Sequence, residues 1–532
     1  MSAQLIIAPI VLPLLVAALQ LLVGERRRRT LLALSVASCL ALVVVAVLLL
    51  VASASHATGE ASTVYRIGGW PARFGIVLVL DRLSALMLLL TSVVALAVLP
   101  AALGRRQHRG NYFQPLLQFL LMGFNGTFLT GDLFNLFVFF EVLLAASYGL
   151  ALHGSGARRV GAGLHYIAVN LTASMLFLLG VSLIFGVTGT LNMAVLAQII
   201  PTVPGHTRAL LHAGAALLGV AFLVKTAMWP LGFWLPRTYA ASTPAVAAMF
   251  ALMTKVGIYV LLRLSLLLFG DGAGPASAHF GSTAMLWGGM ATVLAGIIGI
   301  LGARDLGKLA GYNVIASAGT LLGAIGLQHS AVTAGALAYL VVSTLGLAAF
   351  FLIAGVLAPP GEEQADDPLQ LEPYDSVGGE LASDVLFAHE DESRVVTAAP
   401  VAVLGLCLFV CAVLLAGLPP LAGFVAKFAV LAPMLGVAGS GAKMLFALII
   451  LAGFCTVIAM GRAGIRIFWV DAEPRFAHVR SIEVGAIVAL LGLCLALTVA
   501  ARIPLAFLGD TAQQLHQGNA IERLLPTEEA RP

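Results

Sequence analysis

The stretch Phe222-Leu-Val-Lys-Thr-Ala-Met-Trp-Pro-Leu-Gly-Phe-Trp-Leu-Pro236 decides how the chain is read. It is apolar enough for the hydrocarbon core of a bilayer, which is about 30 Å thick. Yet it holds Lys225 in its middle, with Pro230 five residues on and Pro236 six further. A buried ammonium is expensive in lipid, and a proline removes a backbone donor and breaks the helical ladder. Found together inside one span, they mark a place where charge and water are wanted.

Outward from this stretch the composition agrees. Of 532 residues, 60% are hydrophobic and 10% charged, with a mean hydropathy of +1.01. Soluble proteins carry about 25% charged residues. The deficit, with recurring apolar runs of about 20 residues, gives an all-α polytopic membrane protein. The short alternating strands of a β-barrel are not visible in the sequence. Residues 5–23 are too long for a signal-peptide apolar region and lack a basic N-terminal region and a small-residue cleavage site, so they read as a retained helix. Cys39, Cys407, Cys411, Cys455 and Cys494 all lie in apolar runs without metal-site company and read as small core residues.

About fourteen spans are expected, near 4–23, 31–52, 77–101, 112–130, 133–152, 163–186, 208–236, 242–268, 283–302, 308–327, 331–357, 399–437, 443–469 and 482–508. Residues 358–398 hold eleven acidic residues and one basic residue, Arg394. Of the 29 basic and 25 acidic residues in the chain, 28 and 14 therefore lie elsewhere, an excess of +14. That excess is one-sided. Arg26–Arg29, Arg105, Arg106, Arg109, Arg158, Arg159, Arg237, Arg304, Lys308, Arg462, Arg466, Arg475 and Arg480 all fall in loops of one face. The positive-inside rule makes that face cytoplasmic and turns both termini outward. The acidic segment 358–398 reads as a disordered cytoplasmic insert.

Three spans are abnormal. The seventh breaks at Pro230, the eighth opens on Ser242-Thr-Pro-Ala, and the twelfth contains Gly417-Leu-Pro-Pro420. Broken helices at matching places in two halves mark the binding site of many transporters. The expected layout is an N-terminal three-helix segment (1–111) and a first five-helix set (112–268). A second five-helix set (283–470) contains the acidic insert. A C-terminal helix (482–508) and a polar tail (509–532) follow. Five helices per set force the second copy to be inverted, with helices 7 and 12 broken and carrying Lys225 and Lys427.

The candidate chemistry lies in single charges at mid-span depth. Glu141 follows Asp132 by nine residues, roughly 13 Å of helix rise. Its neighbours are apolar, so it is either paired or protonated. Lys225 is the natural partner: pairing keeps both charged, and separation frees a lysine proton. Lys255 lies eleven residues after Pro244, and Lys427 seven after Pro420. Together the three lysines form a candidate proton relay, with backbone groups freed at Pro230 and Pro420 available to water. His165 and His212 are either part of a hydrated path or hydrogen-bonded core residues. Asp81 and Asp305 read as helix caps. No phosphate-binding loop, iron–sulfur cysteine set or nucleophile elbow is present, no cofactor is expected, and nothing points to nucleic acid.

At these residues the chain resembles the large antiporter-like subunits shared by multisubunit Mrp (also Mnh or Pha) cation/proton antiporters and respiratory complex I. The resemblance covers about residues 1–510. It rests on Gly131-Asp-Leu-Phe-Asn-Leu-Phe-Val-Phe-Phe-Glu141, Val224-Lys-Thr-Ala-Met-Trp-Pro-Leu-Gly-Phe-Trp-Leu-Pro236, Met253-Thr-Lys-Val-Gly-Ile-Tyr259 and Leu418-Pro-Pro-Leu-Ala-Gly-Phe-Val-Ala-Lys427. The wording is most similar to the D-type branch of the Mrp/Pha subunits. The resemblance implies fourteen helices, inverted five-helix repeats, a Glu–Lys pair at Glu141 and Lys225, and relay lysines at Lys255 and Lys427. It implies partner subunits of types A, B, C, E, F and G in a bacterial cell membrane. It also implies exchange of Na⁺, K⁺ or Li⁺ for protons without a redox cofactor. The alternative is a proton-pumping membrane subunit of a complex I-like NADH:quinone oxidoreductase or a membrane hydrogenase. One departure stands out. Relatives carry a histidine and a lysine on helix eleven, where this chain has Val342 or Ser343 and Leu347. Ser343, Thr344 and water are left to carry the step from Lys255 to Lys427.

Overall fold

Long apolar runs in a bilayer must satisfy their backbone groups internally, and the helix is the local way to do so. The computed structural model describes residues 3–55, 63–70, 75–103, 112–358, 398–470 and 481–517. The acidic insert, apart from its end residues 358 and 398, lies outside these residues. So do the loops carrying Arg105, Arg106, Arg109, Arg475 and Arg480, and residues 518–532.

The described residues are overwhelmingly helical. In chain order the helices are α1 (Ala8–Val23), α2 (Arg28–Ser55), α3 (Arg82–Val98), α4 (Phe113–Leu129), α5 (Leu133–Ala151) and α6 (Ala157–Thr188). Then come α7 (Met193–Ile199), α8 (Gly205–Lys225), α9 (Leu235–Ala241), α10 (Pro244–Leu267), α11 (Ser282–Gly302) and α12 (Leu306–Gly326). The chain closes with α13 (Ser330–Val356), α14 (Ala398–Ala416), α15 (Ala422–Met434), α16 (Ser440–Ile465), α17 (Ser481–Val499) and α18 (Arg502–His516). Among the described residues, 11 helices are long and apolar enough to cross a membrane; α3, α14 and α15 are shorter apolar helices.

Some local expectations change and others hold. Residues 77–80, expected as the start of the third span, form a strand. It pairs antiparallel with 63–66, and the helix begins only at Arg82. Asp81 stops the strand and caps α3, accepting from Ser84 N at 2.7 Å. The two expected breaks are found: the span over 208–236 divides into α8 and α9 around residues 226–234, and that over 399–437 into α14 and α15 around residues 417–421. The span expected over 482–508 ends at Val499, and the tail expected from 509 is helical to His516 in α18. Short α7, between spans, has no counterpart among the expected elements. Asn192 caps it, accepting from Ala194 N and Val195 N.

The core is polarised by depth from lipid. The apolar windows of α10, α12 and α13 are buried almost throughout, whereas α2, α8 and α17 bury about a third of theirs. Around this inner trio, α4 packs on α5 and α6 on α8 in one half, as α11 packs on α12 and α13 on α15 in the other. Close approach depends on small residues: a Cβ on Gly289 would meet the backbone of Gly319 and Gly323.

Candidate functional site

Each candidate lysine is placed by a helix that ends, starts or is wholly buried. Lys225 is the last residue of α8 and only 5% exposed. Its ammonium donates to Asn170 O at 3.4 Å and Ser174 Oγ at 3.5 Å, both on α6, and lies 4.7 Å over the Phe140 ring on α5. Glu141, the next residue along α5, stands within Coulombic reach of Lys225 but forms no ion pair within 4 Å. Its Oε1 is buried without a hydrogen-bond partner. The expected pair is thus an electrostatic neighbour rather than an ion-pair contact.

Lys255 has no exposed surface and donates to Ser317 Oγ on α12 at 2.6 Å. Gly257 lets α10 approach α8 here, since a Cβ at that position would meet the Thr226 side chain. Lys427, 9% exposed, sits on α15 and reaches back across the break. It donates to Leu415 O at 3.0 Å and Ala416 O at 2.8 Å, the unsatisfied carbonyls at the C-terminus of α14. That end of a helix carries partial negative charge and suits a cation. None of the three lysines has a carboxylate within ion-pair distance among the described residues.

Between Lys255's partner and Lys427 lies a cavity of about 20 Å³, measured as room for water centres, which is enough for a water molecule. Asn313, Ser317, Thr320, Tyr339, Ser343, Thr456 and Lys427 supply its polar lining, and Val342 and Leu347 face it as well. Tyr339 lines the same cavity as Ser317 and Thr320. Thr456 Oγ1 donates to Asn313 Oδ1 at 3.1 Å. Ser343 lines this space, but Thr344 does not: it donates to Leu340 O of its own helix at 2.6 Å.

The other candidates lie elsewhere. His165 is exposed, its Nδ1 2.9 Å from Gly161 O one turn back. His212 pairs with Ser277 at 3.0 Å and stacks on Phe280 at 4.5 Å, in the loop before α11. Pro230 and Pro420 lie within the two breaks and are exposed.

The description "NADH:quinone oxidoreductase/Mrp antiporter, TM" belongs to the family model that matches residues 130–371. A Rhizobium meliloti (strain 1021) protein, named as a probable K(+)/H(+) antiporter subunit of the D type, is 51% identical over 525 residues, covering 96% of this chain and 95% of its own. The chain belongs to the NADH:quinone oxidoreductase/Mrp antiporter family. Another member, named as the D-type subunit of a Na(+)/H(+) antiporter of Alkalihalophilus pseudofirmus, is 35% identical over 411 residues, 76% of each chain. The fold is shared with a chain of the Mrp complex from Dietzia sp. DQ12-45-1b: TM-score 0.80, 24% identity, 98% of this chain and 100% of that one.

Within this Mrp-family fold, two groups are not visible from the sequence. Tyr339, Ser317, Thr320, Asn313 and Thr456 look like ordinary core residues in apolar runs, and only the fold turns them to one cavity. Arg263 on α10 is the other. It forms a buried ion pair with Asp81 at 2.7 Å, so the α3 cap is at the same time a membrane-buried counter-charge. The spacing of Lys255, Tyr259 and Arg263, at every fourth residue of α10, is the signal that could have found it.

Proposed function

We propose that this chain is the proton-translocating subunit of a multisubunit monovalent cation/proton antiporter, of the D type. One observation carries the reading: three lysines, almost wholly buried, each hydrogen-bonded to neutral oxygen alone, on helices that break or lie deepest in the core. Buried amines held this way are poised to lose and regain a proton. Ionisable residues inside a membrane protein mark ion pathways by default.

In this reading protons enter near Lys225, whose charge responds to Glu141, pass to Lys255 and leave through Lys427. The partner subunits couple this flow to export of Na⁺, K⁺ or Li⁺ across the bacterial cell membrane. The names of the relatives support antiport over a redox pump, and the first named supports K⁺ among the cations. The relay roles of Glu141, Lys225, Lys255 and Lys427, the inverted repeat and the outward termini are parts of the same proposal. Vesicles holding the assembled complex test it. Cation-dependent collapse of a pH gradient, followed by dye quench with Na⁺ and with K⁺, is expected to vanish in Glu141→Ala and Lys225→Ala although the subunits still co-purify. Parental activity in either variant would sink the relay, and co-purifying flavin and iron–sulfur subunits would point to the oxidoreductase branch instead.

A further inference from the structure

Apart from Lys427 itself, the residues that line the cavity between Lys255 and Lys427 include no amine, imidazole or carboxylate. Leu347 and Val342 are part of its lining, which also holds five hydroxyls (Ser317, Thr320, Tyr339, Ser343 and Thr456) and the Asn313 amide. One end of that lining is Ser317, which accepts from Lys255 at 2.6 Å; the other is Lys427 itself. Tyr339 faces the same cavity, which it lines together with Ser317, Thr320 and Lys427. A phenolic hydroxyl donates and accepts at once, as water does.

We propose that Tyr339 is the bridging residue of a neutral hydroxyl-and-water row that carries protons from Lys255 to Lys427. The inference rests on the relay reading above. The Lys255 ammonium gives a proton to Ser317 Oγ, and the Ser317 O–H proton passes on to the Tyr339 hydroxyl or to water beside it. The last O–H of the row protonates the neutral Lys427 amine. One proton leaves Lys255 and one arrives at Lys427. Every hydroxyl ends neutral with its O–H turned over, and the row resets by rotation. A fixed cation at position 347 would hold a proton in mid-path; the neutral row passes it without holding it.

The test uses the assembled complex in proteoliposomes. Tyr339→Phe removes one oxygen and keeps the ring. It is expected to slow cation-dependent pH-gradient collapse at least about tenfold, at an unchanged apparent KM for the cation and with a larger solvent deuterium isotope effect. Ser317→Ala is expected to do the same. Adding Leu347→Lys to Tyr339→Phe, which puts a titratable group back into the cavity, is expected to recover most of the rate; a purely structural tyrosine would not be rescued this way. Parental rate and isotope effect in Tyr339→Phe overturn the proposal, and if that variant fails to assemble, a parental rate in Ser317→Ala overturns it equally. Lys255→Ala and Lys427→Ala separate the two levels. If these also run at the parental rate, the relay reading has failed. If they are inactive while Tyr339→Phe and Ser317→Ala are normal, only the bridge has failed.

Discussion

Lys225 and Lys427 stand at two broken helices, and the two breaks hold their ammonium groups differently. Lys225 ends the first half-helix, α8, and leans sideways onto other helices through two long hydrogen bonds and an aromatic face. Lys427 lies beyond its break, on α15, and turns back to two carbonyls of the half-helix it left, at 2.8 and 3.0 Å. The chain itself anchors the second lysine. Neighbours on α5 and α6 hold the first loosely, with Glu141 in electrostatic range. A loosely held amine answers to a changing field; a tightly held one is fixed in place and exchanges with what surrounds it. The glycines follow the same division. A Cβ on Gly417, whose φ is +77°, would strike the Lys427 side chain, and one on Gly423 would strike Leu414 O. In the first break a Cβ on Gly232 would meet Ala227 O, away from Lys225's partners.

The sharpest way to break this comparison is a pair of neutral substitutions. Lys427→Met leaves two buried carbonyls unpaired and is expected to cost about 1–3 kcal/mol of stability as well as transport. Lys225→Met is expected to lose transport while melting close to the parent. Equal melting temperatures in detergent would erase the distinction. Next in size is Gly423→Ala, which pushes α15 off α14. A loss of about 1–3 kcal/mol is expected, as for overpacking elsewhere, together with impaired transport. Gly232→Ala, with a similar local clash, is expected to lower stability and spare more of the transport rate. Smaller still is Phe140→Leu, which removes the ring face under Lys225. A cation–π contact is worth about 0.5–2 kcal/mol, so a several-fold slower turnover is expected, with Phe140→Tyr near normal; a parental rate in Phe140→Leu would show that the ring only fills space.

The smallest effect concerns α18, on neither break. Burial, helped by His329 and His279 and opposed by Asp271, holds His516 below the ordinary histidine range, and its Nε2 lies 3.0 Å from Thr333 Oγ1. The folded state therefore binds fewer protons than the unfolded one. Its contribution is complete above the ordinary value of about 6.5 and is lost as pH falls below it. Hydrogen exchange across 502–516 is expected to quicken as pH is lowered from about 7.5 to about 5.5, on either side of that value, once the intrinsic pH dependence of exchange is removed, and to do so less in His516→Gln.

Much of this was legible in the chain. A lysine beside prolines inside an apolar run has few structural excuses, so Lys225 and Lys427 announced themselves, and hydropathy located most helices. Asp81 and Asp305 were readable as caps because capping is local. What escaped was non-local. Nothing near Arg263 names Asp81, 182 residues away. Tyr339 and Ser317 carry no charge to stand out among leucines. The strand at 77–80 is apolar throughout, so hydropathy cannot tell it from a helix start. The expected contact between Glu141 and Lys225 became a separation because Phe140, not Glu141, presents its side chain to the amine.

α10 also has a history. It carries Lys255 near its middle, where a charge costs about 2.5–3.5 kcal/mol, and Arg263 near its end, against eleven Val, Ile, Leu and Phe residues worth up to about 0.3–0.6 kcal/mol apiece. The two charges take back part of what the apolar residues contribute to placing the helix in lipid. Arg263's counter-charge, Asp81, is made before it on the ribosome; Lys255's acceptor, Ser317, is made after. The two charges of α10 are thus satisfied at different stages of synthesis: Arg263 by the cap of α3, already made, and Lys255 only when α12 follows.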